Sequence, residues 1–131
     1  MIKLNGVLHF SIAVRDLDRS RKFYTELLGL TFVAAPPDSG MVFLRAGRDH
    51  VILCQSEHTP GSTTEDGTRL HHAFHLDATG YEDAKMVLKA RGIEILFEEN
   101  RRVGVFIGRQ FYFHDPDRNV LEISECVPPA T

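Results

Sequence analysis

The chain reads twice. Residues 7–14, VLHFSIAV, alternate in the manner of a strand. The next stretch, RDLDRSRKFYTELLGL, carries a helical stripe of Leu17, Phe23, Tyr24, Leu27 and Leu28. Asp16 suits the start of that helix as a cap, and Gly29 suits its stop. Strand-like pieces follow near 31–35, 41–46 and 50–55, parted by the turn formers PPDSG and AGRD. Then QSEHTPGSTTEDGT, polar and rich in Gly, Ser and Thr, reads as a linker over 56–69, and the pattern restarts. LHHAFHLD, 70–77, is a second strand. TGYEDAKMVLKARG is a second helix, with Thr79 and Glu82 at capping-box spacing and Gly92 at its end. Three more strand-like pieces lie near 93–98, 105–114 and 119–124. Superposing the halves puts His9 over His71 and Gly29 over Gly92. Such a duplication predicts one α+β domain of two tandem modules, 7–55 and 70–125, each with one helix covering one face of its sheet. Two such sheets curled together enclose a cleft.

That arrangement gives the uncovered faces to particular residues. On the first strand Leu8, Phe10, Ile12 and Val14 share one face, and His9, Ser11 and Ala13 the other. On the second-half strand His72, Phe74 and Leu76 oppose His71, Ala73 and His75. NVLEIS, 119–124, carries Glu122 between Leu121 and Ile123. A carboxylate in an apolar strand must meet water, a cation or a metal, because burying it unpaired costs several kcal/mol or more. Two imidazoles and one carboxylate from three strands are a ligand set for divalent iron or manganese with positions left open for substrate.

Composition excludes other classes. At 131 residues the chain suits a single domain with a genuine core. The formal net charge is −3 and there is no basic tract, so neither nucleic acid nor an anionic membrane is an expected partner. No apolar run approaches a membrane span, and MIKLNGVLHF lacks the apolar core of a signal peptide. Two cysteines, Cys54 and Cys126, with no CxxC pair fit a reduced, cytoplasmic protein.

From about residue 7 to 125 the chain resembles the vicinal oxygen chelate superfamily of glyoxalases, bleomycin-resistance proteins, fosfomycin-resistance enzymes and extradiol dioxygenases. The resemblance lies in LHFSIAVRDLDRSRKFYTELLGL, HHAFHLD and, most specifically, FYFHDPDRNVLEI. It implies paired βαβββ modules forming a cup-shaped, partly open mixed β-sheet barrel around one divalent metal ion. The family's recurrent ligands map onto His9, His71 and Glu122. Fe2+ or Mn2+ is the expected ion, with Zn2+, Ni2+ and Co2+ as alternatives. The family also implies a homodimer in which His9 serves one site while His71 and Glu122 come from the partner subunit.

Departures from the family narrow the activity. Many glyoxalases add a carboxylate on the last strand of the first half, and here HVILCQ offers Leu53, taken to lie over Glu122, with Gln55 two residues on. FYFHDPDRNVLE matches the second part of the extradiol dioxygenase signature, with Arg118 where Gly is usual, but the upstream His is missing from RRVGVFIG. Fosfomycin-modifying enzymes keep the same three ligands and a Tyr matching Tyr112. Their first-half acidic base and their phosphonate-holding basic residues are not evident here.

Tyr112 is therefore the expected catalytic residue, a phenol able to donate to a metal-bound oxyanion. Gln110, which shares its face, and His75 are expected to contact substrate, and Arg109 to bind an anionic one. DPDRN reads as a tight turn set by its Asp and Asn side chains. The expected function is metal-assisted chemistry on a chelated, oxygen-rich small molecule, dioxygenase-like first. Epoxide opening of the fosfomycin-resistance type is the alternative, as is metal-free sequestration of a drug-like molecule.

Overall fold

The computed structural model describes residues 1–59 and 70–127, so residues 60–69 of the expected linker lie outside the described residues. The chain divides into two compact units, Met1–Thr59 and Pro60–Thr131. Each holds one of the repeated modules.

In the first unit β1 (His9–Val14) leads into α1 (Leu17–Lys22), which continues as a π-helical turn over Phe23–Leu27. Strands β2 (Thr31–Ala34), β3 (Met41–Ala46) and β4 (Asp49–Gln55) complete it. The sheet order is β1-β4-β3-β2, with β1 and β4 parallel and the other pairs antiparallel. Asp16 caps α1 by accepting from the Arg19 amide at 3.0 Å, as its position predicted. Val7 and Leu8 stay outside β1 and are 81% and 80% exposed, because β4 offers His9 its first partner at His50. The predicted single helix changes at Phe23 to wider turns, in which the Leu28 amide bonds the Phe23 carbonyl at 3.2 Å. Tyr24 is thereby sunk completely, together with Ile12, Val14, Leu44, Val51 and Leu53, into the layer between helix and sheet.

The second unit repeats the order: β5 (His71–His75), α2 (Ala78–Ala90), β6 (Phe97–Arg101), β7 (Gly108–His114) and β8 (Val120–Ser124), with sheet order β5-β8-β7-β6. Tyr81 and Leu88 of α2 meet Phe111, Phe113 and Leu121 in its core, where each large apolar side chain contributes about 1.5–3 kcal/mol by leaving water. Both sheets are open four-stranded mixed sheets, and the architecture is the α+β class read from the sequence.

Three local expectations need correction. α2 is capped by Asp77, whose Oδ1 accepts from the Gly80 amide at 2.7 Å, and Thr79 lies inside the helix. The strand expected at 93–98 runs instead over Phe97–Arg101, since an edge strand tolerates the charged run FEENR. The register also removes Leu53 from the position matching Glu122. Glu122 pairs with Ala73 and Tyr112, and the matching ladder, Ser11 and Phe43, holds Ile52 between them. Leu53 instead matches Ile123, in the core. Isoleucine ligates no metal either, so the missing fourth ligand stands on a corrected residue.

Candidate functional site

The face of the second sheet turned away from α2 forms a grid. Along successive rows lie His71, Val120 and His114; then Ala73, Glu122, Tyr112 and Phe97; then His75, Ser124, Gln110 and Glu99. β8 is central and buried along its whole length. Glu122 is only 6% exposed, which is why its carboxylate needs partners. It has two. Nε2 of His71 lies 2.9 Å from its Oε2, and the Tyr112 hydroxyl donates to it. The His71 ring also meets Tyr112 edge-on, with centroids 5.3 Å apart, so packing and hydrogen bonding fix all three.

Burial, the nearby Glu122 charge and the hydrogen bond to it push the Tyr112 phenol up to about 12. It stays protonated at any ordinary pH and acts as a donor. These residues line a cavity of about 290 Å3 with His75, Gln110 and Arg101. Phe106 and Phe74 supply an apolar wall, and Ser124 and Cys126 complete the floor.

Arg101 is the residue that sequence reasoning missed. Its guanidinium donates to Glu99 Oε1 at 2.6 Å, and the same oxygen accepts from Nε2 of Gln110. Gln110 is 2% exposed, and its Oε1 accepts from the Cys126 thiol at 3.6 Å. A chain of polar contacts therefore runs from the floor to the cation. The available signal was the alternation of Phe97, Glu99 and Arg101 opposite Tyr112 and Gln110, hidden by placing the strand too early.

Arg109 does not belong to the cavity. Its side chain lies on the helix face of β7, with Nε 2.6 Å from Glu125 Oε1 and Nη2 2.9 Å from Oε2. Nη1 meets Glu82, and the guanidinium carbon sits 4.5 Å over the Tyr81 ring. It clamps α2 to the sheet, so its expected role in substrate binding is withdrawn. His114 shares the face of Tyr112 but lies outside the cavity lining, its Nε2 buried with no hydrogen-bond partner among the described residues. His9 lies in the first unit, exposed on the face of β1 opposite Ile12 and Val14.

The second unit can hold a metal as a bidentate pair. Adjacent donor atoms on an ion with bonds of about 2.1 Å stand roughly 3 Å apart. The His71–Glu122 separation of 2.9 Å is of that size, and the pair opens on the cavity. Among the described residues no three His, Cys, Asp or Glu side chains gather, so this unit by itself supplies two protein donors. The DPDRN turn holds β8 in register: Asp115 Oδ1 accepts from the Asp117 and Asn119 amides at 2.9 and 2.8 Å. Arg118 takes a left-handed φ of 65°, the reason glycine is usual there.

Known proteins resemble this chain in sequence and fold. The family model for the Glyoxalase/Bleomycin resistance protein/Dioxygenase superfamily matches residues 6–123. The glutathione transferase FosA of Serratia marcescens is 32% identical over 92% of this chain and 80% of its own. Glyoxylase I 4 of Arabidopsis thaliana is 27% identical over 95% of this chain and 73% of its own. A crystal structure of the fosfomycin resistance protein FosX from Listeria monocytogenes superposes with a TM-score of 0.79 at 21% identity, covering 95% and 94% of the two chains. Other crystals of that FosX hold Mn(II), in one case with 1S,2S-dihydroxypropylphosphonic acid. The chain belongs to the glyoxalase/bleomycin resistance protein/dioxygenase family, the vicinal oxygen chelate superfamily.

Proposed function

We propose that this protein is a metal-dependent enzyme that opens an epoxide, or a kindred strained oxygen electrophile, on a small substrate bearing an acidic group. The observation that carries the reading is the convergence of His71, Glu122, Tyr112 and Arg101 on one cavity. His71 and Glu122 would hold the ion, and His9, from the same or a partner chain, would be the third donor. A bound divalent metal would supply Lewis acidity to the substrate. Tyr112 donates to the oxyanion that develops as the C–O bond breaks. Arg101 pairs with the substrate's acidic group, with Glu99 and Gln110 setting its direction. His75, on the cavity wall, takes a proton from the attacking water or thiol.

Several names of relatives agree with this reading: FosA is called a glutathione transferase, and a diol phosphonate sits in one FosX crystal. The working form is a homodimer in a reducing cytoplasm. The working ion is a divalent transition metal, Mn2+ or Fe2+ first, with Ni2+, Co2+ and Zn2+ as alternatives. The second reading, a ring-cleaving dioxygenase, is favoured by FYFHDPDRNVLE and by the imidazole that His75 adds to the cavity. Against sequestration without a metal stands the retention of all three of the family's ligand residues, His9, His71 and Glu122.

The test is a substrate screen on protein loaded with Mn2+ or Fe2+. Epoxides carrying a phosphonate or carboxylate are offered with water or glutathione, and catechols are offered with oxygen-uptake monitoring. Diol or thioether product that disappears in Glu122→Gln supports the proposal. Oxygen uptake on catechols with no epoxide turnover transfers the assignment to the second reading.

A further inference from the structure

His50 stands in a place that the family resemblance does not explain. β1 and β4 run parallel, and their register makes His9 and His50 direct partners. Both side chains point away from the helix-covered face, because their alternation partners Ile12, Val14, Val51 and Leu53 fill the core with 1% exposure or less. Neighbouring strands are about 4.8 Å apart, so two aligned imidazoles on one face reach a common ion with bonds of about 2.1 Å. The second unit has no counterpart: His71 there is partnered by Val120. Among the described residues no hydrogen bond or ion pair engages the His9 or the His50 imidazole. On the far side of His50 the row continues with Arg45, whose side chain is exposed. The next row holds Ser11, Ile52 and Phe43, none of them a strong ligand.

We propose that His50 is a second metal-binding imidazole of the first unit, forming with His9 a cross-strand chelate for a divalent transition metal. This rests on the reading of His9 as a ligand and deepens it: the first unit brings two nitrogens to the ion. Added imidazole nitrogen raises affinity for Ni2+, Co2+ and Zn2+ more than for Mn2+, which is content with oxygen donors. His50 thus makes this chain's site more selective for the later ions than one imidazole on each unit would.

Metal binding by the full chain tests it, with Ni2+ and Mn2+ titrated by calorimetry and Co2+ followed by its visible absorption. The proteins are wild type, His50→Gln, His50→Asn, the double variant His71→Ala with Glu122→Ala, and that double variant with His50→Gln. Circular dichroism establishes folding, and the two His50 variants guard against one that misfolds. The proposal expects at least about tenfold weaker Ni2+ binding without His50, a smaller loss for Mn2+ and an altered Co2+ spectrum. It also expects the double variant to keep a Ni2+ site that vanishes when His50 is replaced as well. Wild-type Ni2+ affinity and Co2+ spectrum in both folded His50 variants overturn it, even if the double variant binds nothing and the His71–Glu122 reading survives. The reverse pattern, loss on replacing His50 but not His71 and Glu122, upholds the chelate and overturns the ligand set proposed above.

Discussion

Nε2 of His71 and Oε2 of Glu122 lie 2.9 Å apart, a basic group from β5 and an acidic one from β8 brought together by a parallel strand pair. In that pair Glu122 sits opposite Ala73, so the small side chain leaves the diagonal from His71 clear. The arrangement meets the cost of a carboxylate on a fully buried strand while leaving both groups open to a cavity.

The phenol makes a separable contribution. Tyr112→Phe keeps the ring that packs on His71 and Phe97 but removes the donor. Turnover of the true substrate is expected to fall about a hundredfold, the usual cost of one oxyanion donor, with metal affinity nearly unchanged. Because the folded phenol is raised to about 12, its stabilisation is present in full below the ordinary value of 10 and is lost as pH rises through about 12. Phenolate absorbance titrated on both proteins checks this: the variant lacks one late-ionising group.

The two arginines of the second unit behave oppositely. Arg101→Ala is expected to raise KM for an acidic substrate about tenfold with little change in melting temperature, since its side chain is 41% exposed. Arg109→Ala is expected to leave KM alone and lower the melting temperature by about a few degrees, because it unclamps α2. Steady-state kinetics and thermal melts on the same preparations decide both.

The clamp also sets acid sensitivity. Hydrogen bonding to Arg109 holds the Glu125 carboxyl below its ordinary 4.5, and bonding to Lys85 does the same for Glu98. Both groups have lowered folded values, so their stabilisation is present above pH 4.5 and is lost as pH falls through the lower folded values. Glu125→Gln is expected to flatten the acid limb of the stability curve below pH 4.5, measured by denaturant unfolding at stepped pH.

The turn before β8 carries removable strain. Arg118→Gly is expected to stabilise the fold by about 0.5–1 kcal/mol, since glycine adopts the left-handed φ of 65° without penalty. Arg118→Val, branched at Cβ, is expected to destabilise it. Chemical denaturation midpoints distinguish the two.

Much of this was legible in the sequence. Period-two alternation put His71, His75, Glu122, Tyr112 and Gln110 on one face, and that is where they lie. The same alternation argued against Arg109, which falls in step with Phe111 and Phe113; the error was to weigh its charge above its parity. Leu53 was misplaced because the loops of the two halves differ in length, so an offset counted along the chain cannot give a register that hydrogen bonds set. Arg101 was missed because FEENR has no apolar period, and an edge strand needs none. His50 carried no signal of its own. Only the parallel pairing of β1 with β4 makes it a neighbour of His9.

The central claim is that His71 and Glu122 hold a divalent metal. It is tested most directly by titrating Mn2+ into metal-free protein and into His71→Ala and Glu122→Gln, with binding followed calorimetrically. The account predicts one ion per chain for the wild type and affinity at least about a hundredfold lower in each folded variant. Equal binding by all three proteins, or none by the wild type, would contradict it.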